Sequence, residues 1–272
     1  MKTKIFLIIW LFACLFRVNF AIAQSPSQYK LPELFHFDYE VEQEFVHDNN
    51  VSDTSLIHFF YSRTGDYAAA RVNGKGNMKE NLLIVITNDG TGIIFNERNK
   101  NITIISIRKL ISDLSGLTKW IRMDSLMANM RKKTDGRDFQ SMKTGKSKQV
   151  GSYTSEEYSV SDNKGHKGTV WCAKVDFNTQ TDYLLGAAGS NFLKMMSGRM
   201  ATHPLFQALI QPKTLVTDIE TSDSAQEHRM NMHTLSINQS SVSISTSGYV
   251  VNDYSTMTVP EIFQAEMRKR NH

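Results

Sequence analysis

Between residues 35 and 45 the chain alternates. Phe35, Phe37, Tyr39, Val41 and Phe45 fall on one parity, and His36, Asp38, Glu40, Glu42 and Glu44 on the other. A period of two places successive side chains on opposite faces, so this segment reads as a strand with one apolar and one charged face. Such a strand belongs to an antiparallel sheet with water on one side. Further strand-like runs follow at Leu56–Tyr61, Tyr67–Val72, Leu82–Thr87, Gly92–Phe95 and Ile102–Ile107, separated by turn signals such as Asn73-Gly74-Lys75-Gly76 and Asn88-Asp89-Gly90. Short strands joined by tight turns make a meander rather than the crossovers of a parallel sheet.

The period changes after residue 107. Ile107, Leu110, Ile111, Leu114, Leu117 and Ile121 share one helical stripe, while Met123, Leu126, Met127 and Met130 fall on the opposite side, which predicts two short helices broken between Gly116 and Arg122. After a polar link at 132–137, Tyr153–Ser161 and Gly168–Val175 read as strands of a hairpin whose turn is Asp162-Asn163-Lys164-Gly165. Helical segments are expected over 191–200 and 203–210, then three closing strands at Thr214–Thr221, Arg229–Ile237 and Val242–Val251. Thr258-Val259-Pro260-Glu261 is a capping box that opens a C-terminal helix over 258–270, and Arg268, Lys269 and Arg270 suit the negative end of its dipole.

The N-terminus has the three parts of a secretory signal: Lys2 and Lys4, the apolar run Ile5 to Phe16, and the small-residue pattern Ala21-Ile22-Ala23. The apolar run stops at Arg17 and Asn19, short of the roughly 20 residues that span a bilayer. We therefore expect a signal peptide at 1–23, a flexible lead at 24–33, one domain over 34–272 and no transmembrane segment after cleavage. Leu11-Phe12-Ala13-Cys14 offers a rival reading, a lipoprotein acylated on Cys14; bulky Phe12 and the following Leu15-Phe16 favour ordinary cleavage into the periplasm or beyond. Removal of Lys2, Lys4 and Arg17 leaves a nearly neutral chain, which lacks the basic footprint of nucleic-acid binding. It also leaves Cys172 as the only cysteine, so no internal disulfide is expected and a buried, unreactive thiol is.

No residue pattern specifies an enzyme, a metal or a cofactor. Thr144-Gly145-Lys146-Ser147 has the tail of a phosphate loop, but Gln140 stands where the loop needs glycine, so a turn between strands is expected there. His228 and His233 are five apart, which suits neither a helix face nor a strand face as a metal site. The carboxylates of Asp38, Glu40, Glu42 and Glu44 sit about 7 Å apart along a strand, too spread for one Ca²⁺, and read as a solvated face paired to Lys or Arg nearby. Methionine clusters instead: Met123, Met127 and Met130 in one segment, Met195, Met196 and Met200 in another. Flexible thioethers suit an adaptable apolar surface, and equally the packing of a core.

The run from Thr144-Gly145-Lys146-Ser147-Lys148-Gln149-Val150-Gly151-Ser152-Tyr153 to Glu156-Glu157-Tyr158, with Trp171 in a later strand, resembles a family of exported bacterial proteins known as a domain of unknown function (DUF4412). Gly151-Ser152-Tyr153 departs from that pattern by one inserted residue, and Thr154 or Ser155 stands where it often has Cys. The resemblance implies a fold similar to the periplasmic lipoprotein carriers of the LolA/LppX kind. That fold class is mainly β (α+β): a curved antiparallel sheet, an open half-barrel, with helices on the concave side. The expected function is binding of a lipid, acyl chain or other apolar ligand, against Met123, Met127, Met130, Phe192, Met195, Met196, Met200, Phe37 and Tyr39. The alternative is a non-enzymatic envelope protein whose sheet edge or polar face meets a partner protein.

Overall fold

The structure is a computed structural model and describes residues 29–47, 54–73, 82–110, 139–163, 165–179, 182, 204–221 and 230–270. Twelve strands form one sheet: β1 (Leu34–His47), β2 (Thr54–Tyr61), β3 (Tyr67–Asn73), β4 (Leu82–Thr87), β5 (Thr91–Asn96), β6 (Asn101–Ser106), β7 (Phe139–Val150), β8 (Tyr153–Asp162), β9 (Lys167–Lys174), β10 (Thr214–Thr221), β11 (Met230–Ser245) and β12 (Val250–Asp253). Among the described residues two helices accompany them, α1 (Pro204–Leu209) and α2 (Val259–Arg270), and a helical turn starts at 107–110.

The order is β12-β6-β5-β4-β3-β2-β1-β11-β10-β9-β8-β7, so two meanders, β1–β6 and β7–β11, are joined where β1 pairs with β11. Every pairing is antiparallel except the last, where β12 lies parallel to β6. The connection between β11 and β12 shows that the sheet is not flat. Seven strand spacings of about 4.8 Å would hold the two about 34 Å apart in a plane, whereas the short segment joining them reaches about 18 Å at full stretch. That segment is residues 246–249, turning at Gly248 (φ 80°). The N-terminal meander is therefore rolled until β6 returns to the end of β11. Tyr249 packs edge-to-face on Phe95 at 5.4 Å, and the Val250 N–H donates to the Lys100 carbonyl at 2.8 Å. Inside the roll lies the first apolar cluster, with Phe35, Phe37, Phe60, Leu83, Val85, Ile93, Phe95, Ile102 and Ile104.

The lead is described from Tyr29 and is tied down there. The Tyr29 N–H donates to Asp253 Oδ2 at 2.8 Å, the Thr246 N–H donates to the Glu33 carbonyl at 3.0 Å, and Tyr29 and Leu31 pack against the first cluster.

Most strands expected within the described residues lie where their periodicity places them. Of the helices expected over 107–131 and 191–200, only the turn at 107–110 is described. Two segments differ. The segment around Thr144-Gly145-Lys146-Ser147 is not a turn between strands but the middle of β7, an edge strand in which Gly145 (φ 84°) sits at a register shift between Lys143 and Ser147. An edge strand with neither face in the core carries no alternation to read, and its lysines and bulge are what keep an open edge from pairing with other chains. The closing segments, expected as Arg229–Ile237 and Val242–Val251, are instead one sixteen-residue strand, β11, then the connection at 246–249 and the separate strand β12. The β11 ladder to β1 absorbs an extra residue twice, at Ser240-Ser241 and at Leu235, and then continues.

The C-terminal capping box is formed. Glu261 Oε2 accepts from the Thr258 N–H at 2.7 Å, the Glu261 N–H donates to Thr258 Oγ1 at 3.4 Å, and the first of these bonds holds the Glu261 carboxyl below its ordinary pKa.

Candidate functional site

The cross-strand register assembles one apolar row across five strands. Phe45 of β1 lies opposite Met232 of β11, Met232 opposite Ile219 of β10, Ile219 opposite Val170 of β9, and Val170 opposite Tyr158 of β8. The residue beside each one in sequence faces the other way and is mostly polar: Glu44, His233, Asp218, Trp171 and Glu157. This is the two-faced pattern of an antiparallel sheet carried across half its width. Met232 and Tyr158 are buried, whereas Phe45, Ile219 and Val170 stay partly exposed although they lie on interior strands.

Helix α1 covers one end of this row. Leu205 forms a third apolar cluster with Tyr158 and Cys172, flanked by Val160, Val170, Ala208, Leu209 and Val216. The Leu205 N–H, left without an intrahelical acceptor in the first turn, donates to Ser141 Oγ of β7 at 3.0 Å. Burial, and secondarily Glu156, push the Cys172 thiol up to about 12. The thiolate is the reactive form. Cys172 should therefore resist iodoacetamide in native protein at pH 8 and be modified promptly in denaturant; equal rates in both conditions would show the site to be open.

At the other end of the row Gln43 interrupts the apolar parity of β1. It is 1% exposed and occupies the position between Val41 and Phe45. Its Nε2 donates to the Val216 carbonyl at 2.9 Å and to Thr234 Oγ1 at 3.0 Å, and Thr234 Oγ1 donates onward to the Thr217 carbonyl at 2.7 Å. Here the ladder is irregular, with Leu235 extra in β11 and Thr217 extra in β10. The glutamine amide ties the two sides of that irregularity together.

The opposite face is ionic. Asp218 Oδ1 meets Lys148 Nζ at 3.0 Å and His233 Nδ1 at 3.3 Å, and the Lys148 ammonium lies over the Trp171 ring at 4.5 Å. Glu157 accepts from Thr144 Oγ1 at 2.8 Å and pairs with Lys146 at 3.2 Å. Along the acidic row of β1, Glu40 bonds His58 at 2.8 Å, Asp38 accepts from the Arg63 N–H at 2.7 Å and lies 3.8 Å from His36, and Glu44 is opposite His233. Among the described residues no group of three or more His, Cys, Asp or Glu side chains is placed to hold a metal ion, and no helix is long and apolar enough to cross a membrane.

Of the side chains expected to contact a ligand, Phe37 and Tyr39 are described, and both are buried. The structure places them in separate clusters. Phe37 packs in the first, 5.8 Å from Phe60 and 5.3 Å from Tyr67. Tyr39 lies in a second, its ring tilted against Phe177 at 4.6 Å, and its hydroxyl donates to Asp176 Oδ2 at 2.8 Å. Tyr153 donates to the other oxygen of Asp176, and chiefly this bond holds the Asp176 carboxyl below its ordinary pKa. Burial first, then Asp176, raises both tyrosines. Met123, Met127, Met130, Phe192, Met195, Met196 and Met200 lie outside the described residues. Gln43 is absent from the residues expected at the site, although a glutamine on the apolar parity of an otherwise alternating strand is itself a signal.

No protein-family model and no curated protein matches the chain. The likeness to solved structures is distant. An uncharacterised conserved protein from Thermus thermophilus has TM-score 0.37 at 5% identity, over 80% of this chain and 90% of that one. A LolA superfamily protein from Nitrosomonas europaea has TM-score 0.27 at 8% identity, over 78% and 89%. MucB, in complex with MucA(peri), has TM-score 0.26 at 8% identity, over 75% and 50%. Likeness at these scores carries no functional argument.

Proposed function

We propose that this is an exported envelope protein, periplasmic or secreted, that binds a lipid, acyl chain or similar apolar ligand against the face carrying Phe45, Met232, Ile219, Val170 and Tyr158. The observation that supports this reading is the five-strand row itself, in which Phe45, Ile219 and Val170 keep exposed apolar surface where a closed core would cover them. Helix α1 bounds the row at β8. Burying a sixteen-carbon chain would release on the order of 10 kcal/mol before ordering costs, at about 0.8 kcal/mol per methylene. No polar group on the row is placed for bond-breaking chemistry, and the role is one of holding.

Native mass spectrometry of protein purified without detergent tests the reading. The expected spectrum contains a species heavier than the chain by the mass of an acyl lipid, converted to the bare chain by organic extraction. A ligand-free spectrum, together with no uptake of a fluorescent fatty acid by the extracted protein, would overturn it.

A further inference from the structure

The Gln43 amide is half used. Val216 offers a backbone carbonyl, which only accepts, so nitrogen must be the atom that faces it and the orientation of the amide is fixed. Both N–H groups are then spent, on Val216 and Thr234. Oε1 is buried and has no hydrogen-bond partner among the described residues. A planar amide that turns its nitrogen to β10 and β11 turns its oxygen away from both. Along β1 the two side chains of the same parity beside it are Val41 and Phe45, so this lone acceptor belongs to the wall that carries the apolar row.

An unpaired buried acceptor costs folding free energy, and a bound ligand that donates to it would recover that cost. We infer that Gln43 Oε1 is the polar anchor of the site, accepting a hydrogen bond from an apolar ligand that carries a hydroxyl or amide N–H beside its hydrocarbon chain. The inference rests on the apolar-ligand reading above and sharpens it. The preferred ligands are donors, such as fatty alcohols, monoacylglycerols and N-acyl amides, rather than esters or ethers that offer acceptors only. Two acceptors facing one another across a dry contact leave both unpaired, which is how a buried polar atom discriminates strongly between otherwise equal chains.

The test is a minimal pair: 1-hexadecanol, with one O–H donor, and hexadecyl methyl ether, with none, each displacing a fluorescent fatty-acyl probe from the extracted protein. The wild type should bind the alcohol about tenfold more tightly than the ether. In Gln43→Met, whose side chain has similar length and no donor or strong acceptor, the two should agree within about twofold. The wild-type comparison stands by itself if the variant folds poorly. Equal affinities in the wild type, or a preference that survives Gln43→Met, would overturn the anchor and leave the apolar-ligand reading standing. Failure of both compounds to bind would overturn the two together.

Discussion

Phe35→Ala should lower the stability of the folded chain by about 3–5 kcal/mol, read as a fall in the urea midpoint with unchanged slope. Phe35 is fully buried, with its ring edge-to-face on Tyr67 at 5.1 Å and on Phe95 at 6.3 Å. Its own strand cannot supply those partners. In the sheet order Phe95 belongs to β5, four strands from β1, which is about 19 Å away in a plane. The contact exists because the N-terminal meander is rolled, and removing the ring leaves a cavity where the roll closes. The neighbouring Leu34, 53% exposed, is the control, and its alanine variant should stay within about 0.5 kcal/mol of wild type. A Phe35→Ala loss below about 1 kcal/mol would show that the roll is held elsewhere.

How much of this could be read beforehand follows from where each residue's partners lie. The period-two alternation of β1 names Phe35, Phe37, Tyr39 and Val41 as buried, because a strand's two faces are a local property. The capping box at Thr258 and the hairpin turn at Gly165 (φ 87°) are local in the same sense, and both form as their residues require. The roll is not local. It depends on β12 finding β6, a parallel pairing between Val250–Asp253 and Asn101–Ile104 that no periodicity announces. The apolar row is not local either, since its five members come from five strands and meet only once register is set by the bulges at Leu235 and Thr217. β7 carries no periodicity for the opposite reason: an edge strand rich in Lys, Ser, Thr and Gln needs no apolar side to be paired on one edge. For Gln43 the signal was present, and what a sequence alone lacks is the Val216 carbonyl that fixes which end of the amide is left over.

Gly151→Ala should cost about 2–5 kcal/mol, the sum of a left-handed backbone strain of about 1–2 and a forced contact of about 1–3. Gly151 opens the two-residue turn between β7 and β8 at φ 60°, a conformation such hairpins need and glycine supplies freely. A Cβ there would stand 3.0 Å from the Ile237 carbonyl oxygen and 3.3 Å from Ile237 Cβ. Ile237 is held in the ladder opposite Val41 and packs in the second cluster with Tyr39, Phe177 and Leu215, so its backbone has little room to yield. Gly165→Ala separates the two contributions. Its φ of 87° carries the same strain, but a Cβ at that turn meets no atom within 4 Å, so its cost should be about 1–2 kcal/mol. Equal losses for the two variants in parallel urea titrations would mean that the β7–β8 turn does not rest on β11. A larger loss at Gly151 would show that the C-terminal meander also bends, because β8 stands three places from β11 in the sheet and the turn reaches its backbone only if the strands between them curve.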